Sequence, residues 1–217
     1  MAAIMYTRRR ALVAGAAGIA ALSGCLEAAT GSGPITRKAS PAVVEPSVLE
    51  ETGHELEDER EQTIEREVEV SGQTREVEAT NYARVYTKTI GDTDTDGSLF
   101  ALVSTPAFTF AGQSFNPVAD FSNEEILEFV AGEFGQVSVN EQASESTLTV
   151  LGSETTVTKF DAEAEFNGER IPVYVHVTSV ENGDDIIIAA GAYPQELDSQ
   201  EEDAITTLFG GVDHPAE

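Results

Sequence analysis

Apolar and charged residues alternate along several long segments of this chain, and this period of two most constrains how it can fold. In TIEREVEV, the apolar Ile64, Val68 and Val70 share one side and glutamates occupy the other, which is the pattern of a strand with one buried face. The turn SGQT and the segment REVEATNYARVYTKT follow directly. They predict a second long strand that returns beside the first as a hairpin.

Two further segments are apolar on both faces. SLFALVSTP (98–106) and the run from Ile186 to Ala192 in DDIIIAAGAYP therefore predict strands in the middle of a sheet. Three more strands are predicted at STLTVLG, TTVTKFDAEAEF and RIPVYVHVTSV, because Gly-Ser and Asn-Gly pairs between them favour tight turns.

Helix signals interrupt the strands at only two places in the second half of the chain. SNEEILEFVAGEF has Ser122 as a predicted N-cap and Glu125 at the capping-box position, and residues 199–209 have the same pattern at Ser199 and Glu202. SVLEETG (47–53) predicts one or two turns of helix, with Ser47 as N-cap and Gly53 at the end. Strands joined mostly by short turns predict one α+β domain: a mainly antiparallel sheet of about six to eight strands carrying two or three short helices.

The charge of the chain excludes some partners. It has 39 acidic and 12 basic residues, a net charge of −27. Such a surface repels the phosphates of nucleic acids and of anionic lipids, so neither is expected as a partner of the folded domain. Molar salt shortens the Debye length to about 3 Å and removes most of the self-repulsion. A halophilic source explains the charge best.

The N-terminal segment predicts export and lipid attachment. Arg8 and Arg9 follow Thr7 and precede an apolar run of small residues, which is typical of a twin-arginine signal peptide and too short for a membrane span of about 20 residues. LSGC then matches a lipobox, and Cys25 is the only cysteine. We expect a signal peptide at 1–24, a lipidated Cys25 with a flexible spacer over 25–46, and the domain at 47–217. An uncleaved apolar anchor is the alternative, and it would also leave the domain tethered outside the cell.

A calcium loop is the one metal site that the sequence suggests. Asp92, Asp94 and Asp96 alternate and Gly97 follows, as in an EF-hand, but the twelfth position is Val103 instead of a bidentate glutamate. An acidic hairpin turn is therefore the favoured interpretation. No other metal site and no cofactor are expected.

The histidines and small residues suggest structural roles. His54, His176 and His214 are too scattered to form a metal site; His176 is predicted to be half-buried in a strand, and His214 lies in the tail GGVDHPAE, predicted to be a loose end. No Gly-x-Ser-x-Gly elbow and no phosphate-binding glycine loop is present. The small residues of AAGAYP (189–194) allow a helix or a ligand to approach a central strand closely, and helix packing is the favoured interpretation.

The segments LFALVSTPAF, FNPVADFSNEEIL, LGSETTVTKFDAEAEFNGE, VYVHVTSV and AAGAYPQEL resemble an uncharacterised family of haloarchaeal twin-arginine lipoproteins. The resemblance covers roughly residues 40–215. It implies an exported, lipid-anchored protein and supplies no catalytic residues. The order of hairpin, helix, long antiparallel strands and terminal helix is also similar to the Mog1/PsbP-like sandwich.

These features favour a non-enzymatic lipoprotein at the outer face of the cell membrane, held there by the lipid on Cys25 and binding a protein partner or a small molecule. An extracellular hydrolase that uses carboxylates, with or without calcium, is the alternative. Carboxylates converging in a deep pocket would favour the hydrolase, and a sheet face covered by helices would favour the binding module.

Overall fold

The computed structural model describes residues 34–70, 73–89, 96–107, 109–110, 113–114, 116–134, 137–166 and 169–215. In chain order the elements are β1 Ile35–Lys38, β2 Val43–Val44, α1 Pro46–Thr52, β3 Glu55–Val70, β4 Gln73–Thr89, β5 Asp96–Pro106, β6 Thr109–Phe110, β7 Gln113–Ser114, α2 Asn123–Phe134, β8 Val137–Val150, β9 Ser153–Phe166, β10 Glu169–Asn182, β11 Asp185–Pro194, α3 Asp198–Gly210 and β12 Val212–Asp213. Short 3-10 helices at Pro117–Asp120 and Gln195–Leu197 precede α2 and α3.

Contacts between residues divide the chain into two compact units. The larger unit, residues 36–65 and 78–217, holds the three helices α1, α2 and α3. Of the smaller unit, residues 1–35 and 66–77, the structure describes 34–35, 66–70 and 73–77, and the last two ranges are strand segments of β3 and β4.

The main sheet has eight strands, in the order β1-β4-β5-β11-β10-β9-β8, with β3 paired to β4. Each neighbouring pair from β4 through to β8 is antiparallel. β5 and β11 lie in the middle of the sheet, as their apolar character on both faces predicts. The predicted α+β fold, a mainly antiparallel sheet with short helices, is confirmed.

One face of the sheet, the α1/α3 face, packs against α1 and α3. Ile205, Leu208 and Phe209 of α3 are fully buried. The rings of Phe209 and Phe100 pack edge to face, with their centroids 5.1 Å apart. Burying each of these large side chains stabilises the fold by about 1.5–3 kcal/mol relative to leaving it exposed.

The opposite face, the α2 face, packs against α2. Ile126 and Leu127 are buried there against the sheet, in one cluster with Phe160 and Val175. The predicted capping box at the start of α2 is confirmed: the Ser122 backbone N–H donates to Glu125 Oε2 at 2.8 Å, and the Glu125 N–H donates to Ser122 Oγ at 3.3 Å.

The predicted flexible spacer up to residue 46 is wrong over its last part, so the predicted domain start at residue 47 is too late. β1 pairs with β4 and Val44 pairs with Val212 of β12. Side chains of the sheet satisfy the backbone here, since the Ala42 N–H donates to Ser104 Oγ and the Val44 N–H donates to the Tyr86 hydroxyl. These partners lie far along the chain, so the local composition of a spacer concealed them.

Two predicted helix starts are also corrected. α1 begins at Pro46 with Glu45 as its N-cap residue, not at Ser47; its predicted end at Gly53 is confirmed, with φ +76°, a conformation that glycine adopts at little cost. α3 begins at Asp198 and has no side-chain cap, so the predicted capping box of Ser199 and Glu202 does not form. The Glu202 carboxylate forms a salt bridge with Lys159 of the sheet instead.

The predicted loose C-terminal end is likewise wrong within the described residues. Val212 is buried in the core that α1 and α3 share. The side chain of His214 is 3% exposed and its Nε2 lies 3.1 Å from Asp185 Oδ2. A buried carboxylate thus holds the chain after α3.

Candidate functional site

An apolar groove of about 330 Å³ runs along the α2 face at one end of the sheet. Leu127 and Val130 of α2 form one wall, and small side chains of the central strands form the floor. Cavities that bind small ligands measure about 300–1,000 Å³ and are lined mostly by apolar groups. The groove is at the lower end of this size range.

Alanines create the floor of the groove. Ala101 of β5 lies directly opposite Ala190 of β11, and Ala192 lies opposite Leu99. These four residues line the groove, and their side chains share the α2 face because residues two apart in a strand point the same way. With 12 residues, α2 is only about 18 Å long, so one helix leaves part of this wide sheet face uncovered.

Gly191, between the two groove alanines of β11, explains why this strand is so poor in large side chains. A Cβ atom added at Gly191 would lie 2.6 Å from Cγ2 of Ile205 on the α1/α3 face. The segment AAGAYP therefore contacts both layers that pack on the sheet. The predicted close packing of a helix is confirmed at Gly191. The alanines on either side of Gly191 line the groove on the other face.

Two carboxylates border the groove. Among the described residues that line it, Glu57 on β3 and Glu165 on β9 are the charged ones. Ala164 packs in the cluster on the α2 face, so alternation along β9 turns the side chain of its neighbour Glu165 toward the opposite face of the sheet. Paired catalytic carboxylates of glycosidases both face the bond that they cleave. Glu165 is not directed at a bond held in the groove.

The first of two polar clusters on the α1/α3 face, the Lys159 cluster, comprises Lys159, His176, Tyr193, Asp198 and Glu202. Lys159 Nζ lies 2.6 Å from Asp198 Oδ1 and 3.0 Å from Glu202 Oε1, and 4.0 Å from the centre of the Tyr174 ring. Burial by itself lowers the pKa of the amine, but the hydrogen bonds to the two carboxylates outweigh it and raise the pKa. Lys159 is therefore charged and joins the sheet to the first two turns of α3.

His176 forms the buried end of the Lys159 cluster. It is 6% exposed, so the prediction of a half-buried strand histidine is corrected to a buried one. Burial, together with the nearby Lys159 charge, lowers its pKa to about 4, and burial also raises the pKa of its partner Tyr193. Both groups are neutral near pH 7.

The second polar cluster, the His54 cluster, comprises His54, Lys88, Ser98 and Glu201. His54 Nε2 lies 3.1 Å from Ser98 Oγ, and Lys88 Nζ lies 2.7 Å from Glu201 Oε1. Burial, followed by the charge of Lys88, lowers the pKa of His54 to about 4. His54 Nδ1 and Glu201 Oε2 are buried and have no hydrogen-bond partner among the described residues.

Serine and histidine can act as a nucleophile and its base, but a substrate could not reach Ser98 and His54. Ser98 and His54 are each 2% exposed. Ser98 lies two residues before Phe100, so the alternation of strand side chains turns its hydroxyl toward the α1/α3 core and away from the groove. A substrate in the groove would not meet this hydroxyl. The His54 cluster therefore serves packing.

The site residues predicted from the sequence lie mainly outside the described residues. This applies to Cys25, Arg8, Arg9, Asp92 and Asp94, while Asp96 is placed at the start of β5. Among the residues that the structure describes, no group of three or more histidines, cysteines or carboxylates could hold a metal ion. No helix in the same part of the chain is long and apolar enough to cross a membrane.

Sequence reasoning missed the groove. Its signal is the alanine content of the α2 face at positions 101, 190 and 192, which acquires meaning only when the strand register is known.

Comparison with solved structures gives a distant likeness. The chain is similar to LpqN, described as involved in cell envelope biogenesis of Mycobacterium tuberculosis, with a TM-score of 0.35 and 10% identity over 79% of this chain and 97% of that chain. A likeness at this level carries no information on function. No curated protein matches the sequence.

A family model gives the firm assignment. It is described as a domain of unknown function, DUF6517, and matches residues 41–213, a range that includes the groove and both polar clusters. The chain belongs to the DUF6517 family.

Proposed function

We propose that this protein is a non-enzymatic binding module that takes an apolar ligand into the groove on the α2 face. We further propose that it is exported through a twin-arginine signal and anchored by lipid on Cys25 at the outer face of a halophile's membrane. The observation that carries the binding proposal is the groove itself.

The lining supports ligand binding more than catalysis. Its floor and wall are alanines and branched apolar side chains, and the side chain of Glu165 is turned to the opposite face of the sheet. Removing apolar ligand surface from water contributes about 25 cal/mol per Å². Such a groove gains affinity from contact area, whereas it places no pair of acid and base groups around one substrate bond.

Ligand binding can be tested with N-phenyl-1-naphthylamine, a neutral dye that fluoresces in apolar sites. The full-length protein in molar KCl should bind the dye in a saturable manner. Replacing Ala192 with leucine should fill the floor and weaken binding at least tenfold, whereas Ala119→Leu, at an exposed position outside the groove, should leave binding unchanged.

Unaltered circular dichroism of both variants would show that the fold is intact. Equal dye affinity in Ala192→Leu and the unsubstituted protein would place the ligand elsewhere. Turnover by the purified protein in a broad hydrolase panel, without saturable dye binding, would favour the hydrolase alternative.

The location has a separate test. Cys25→Ser should release the exported protein into the medium, because the substituted residue cannot take a thioether lipid. Replacing Arg8 and Arg9 with lysines should retain it inside the cell. If Cys25→Ser stays in the membrane with unchanged mass, the lipid anchor is wrong.

A further inference from the structure

Two outer strands of the main sheet, β3 and β8, differ in charge. β3, which pairs with β4 alone among the described strands, carries ten charged side chains in its 16 residues. β8, at the opposite end of the sheet, carries two, Glu141 and Glu145, in its 14 residues. Charged side chains on an outer strand protect it against pairing with another chain. β3 has this protection, whereas β8 lacks it along most of its length.

The second half of β8 is the part that another strand can pair with. The register between β8 and β9 shifts twice between residues 139 and 144, and such bulges hinder the pairing of a further strand. From Ser144 to Val150 the register is unbroken. Residues 144–147 are all exposed, so neither face of the strand is covered by a helix there. This stretch is therefore open on both faces and along its outer edge.

The turn after β8 decides which backbone groups of this stretch point outward. Leu151 and Gly152 have φ angles of 51° and 75°, which is typical of a two-residue type I′ turn, and Val150 is paired with Ser153 beside it. The pair that closes such a hairpin exchanges both of its hydrogen bonds, and hydrogen-bonded residues then alternate along the strand. The residues whose N–H and C=O groups point away from β9 are therefore Glu145, Thr147 and Thr149.

This outward set is complementary to a second copy of itself. With a two-fold axis at Thr147, the two copies of Thr147 lie opposite each other, and Glu145 of each copy lies opposite Thr149 of the other. Every outward residue is then in a hydrogen-bonded pair, and each pair exchanges two hydrogen bonds. A register centred on Glu145 would instead place two carboxylates directly opposite each other, which is unfavourable. The axis at Thr147 is therefore the favoured one.

We propose that this protein forms a homodimer in which the β8 strands of two copies pair antiparallel over residues 144–150, about a two-fold axis at Thr147. A second copy brings a strand with the same outward groups and the same low charge, and the two-fold axis closes the assembly at two copies. The net charge of −27 on each copy opposes association, but molar salt screens this repulsion. None of residues 144–150 is among the described residues that line the groove, so the dimer does not depend on ligand binding.

Sedimentation equilibrium of the full-length protein in molar KCl tests the dimer. Pairing along one strand edge buries less than the roughly 1,200 Å² of a stable interface, so we expect a weak dimer that forms between about 1 μM and 1 mM protein. Thr147→Pro removes the outward N–H at the axis, and an outer strand tolerates proline at such a position. This variant should dimerise at least tenfold more weakly. Thr147→Val keeps the N–H and a β-branched side chain, so it should dimerise like the unsubstituted protein.

Disulfide cross-linking tests the position of the axis, even if Thr147→Pro fails to fold. In a Cys25→Ser background, which leaves no other cysteine, Thr147→Cys places two thiols on Cα atoms about 5.5 Å apart, within the range that a disulfide spans. Oxidised glutathione should convert this variant into a covalent dimer. Ser138→Cys, at an exposed position of the same strand, is the matched control. Its two copies would lie about 60 Å apart along the paired strands and should not cross-link.

The outcomes separate the dimer from its proposed contact. A monomer at every concentration up to about 1 mM would overturn the homodimer. A dimer of unchanged affinity in Thr147→Pro with native circular dichroism would overturn the pairing through β8. Cross-linking of Ser138→Cys as readily as Thr147→Cys would overturn the axis at Thr147. All three results leave the ligand-binding proposal standing, because dye binding tests it separately.

Discussion

The ring of His176 and the hydroxyl of Tyr193 are joined by a buried hydrogen bond of 2.9 Å. The same hydroxyl donates to Asp198 Oδ1 at 2.9 Å. Because its one proton is committed to the carboxylate, the hydroxyl must accept from the histidine, so Nε2 of the neutral imidazole carries the hydrogen. Tyr193 thereby links Asp198 at the start of α3 to His176 in the middle of β10.

Tyr193→Phe should destabilise the protein by about 1–3 kcal/mol, because it keeps the ring but leaves His176 Nε2 buried without its acceptor. Urea unfolding at constant salt measures the change. Tyr174→Phe is the control, since the ring contacts of Tyr174 with Lys159 and Tyr193 survive the substitution. Equal losses in the two variants would show that the buried hydrogen bond contributes nothing specific.

The central elements of the fold could be predicted because their sequence signals are local. β5 and β11 are apolar on both faces, and the capping residues Ser122 and Glu125 lie three positions apart. Each pattern is complete within one segment, so it needs no knowledge of the tertiary fold.

The segment before α1 and the groove could not be predicted, because each is formed by residues that lie far apart in the sequence. Ala42 lies in a segment with the composition of a linker, and it becomes part of the core because Ser104, 62 residues away, accepts its N–H. The groove depends on where α2 lies over the sheet, and on the register that places Ala101 beside Ala190. Alternation shows that these alanines share a face, but cannot show that the helix leaves them uncovered.

Gly191→Ala should destabilise the protein by about 1–3 kcal/mol, because the new Cβ would lie 2.6 Å from Ile205 Cγ2 in a fully packed core. A double-mutant cycle with Ile205→Ala provides the test. Removing the isoleucine side chain also removes the clash, so the combined loss should be smaller than the sum of the single losses. Additive losses would mean that the two residues do not interact.

Asp185 joins both ends of the larger unit to the sheet. Its Oδ2 accepts the backbone N–H of Ser40 at 2.7 Å and lies 3.1 Å from His214 Nε2. Asp185→Asn removes the buried charge, so we expect faster hydrogen exchange at Ser40, faster proteolysis near residue 214, and a loss of about 1–3 kcal/mol of stability. Asp184→Asn, at the exposed neighbouring position, should change none of these. Unchanged protection in Asp185→Asn would contradict the role of the carboxylate.

The two buried histidines should make stability depend on pH in mildly acidic solution. Burial lowers the pKa of His54 and of His176 to about 4 in the folded protein, against about 6.5 in the unfolded chain. Between these values the unfolded chain binds protons that the folded chain does not. The free energy of unfolding should therefore be highest above about pH 6.5 and fall as the pH is lowered toward about 4.

Each histidine can contribute a slope of up to about 1.4 kcal/mol per pH unit within that window. His176→Gln keeps an N–H donor toward Tyr193 and does not titrate, so it should remove one histidine's share of the slope. His54→Gln should remove the other share. Urea unfolding at a series of pH values and constant ionic strength measures both, and carboxylate protonation at the acidic end affects all variants alike. An identical slope in the unsubstituted protein and in both variants would show that neither histidine is held neutral by burial.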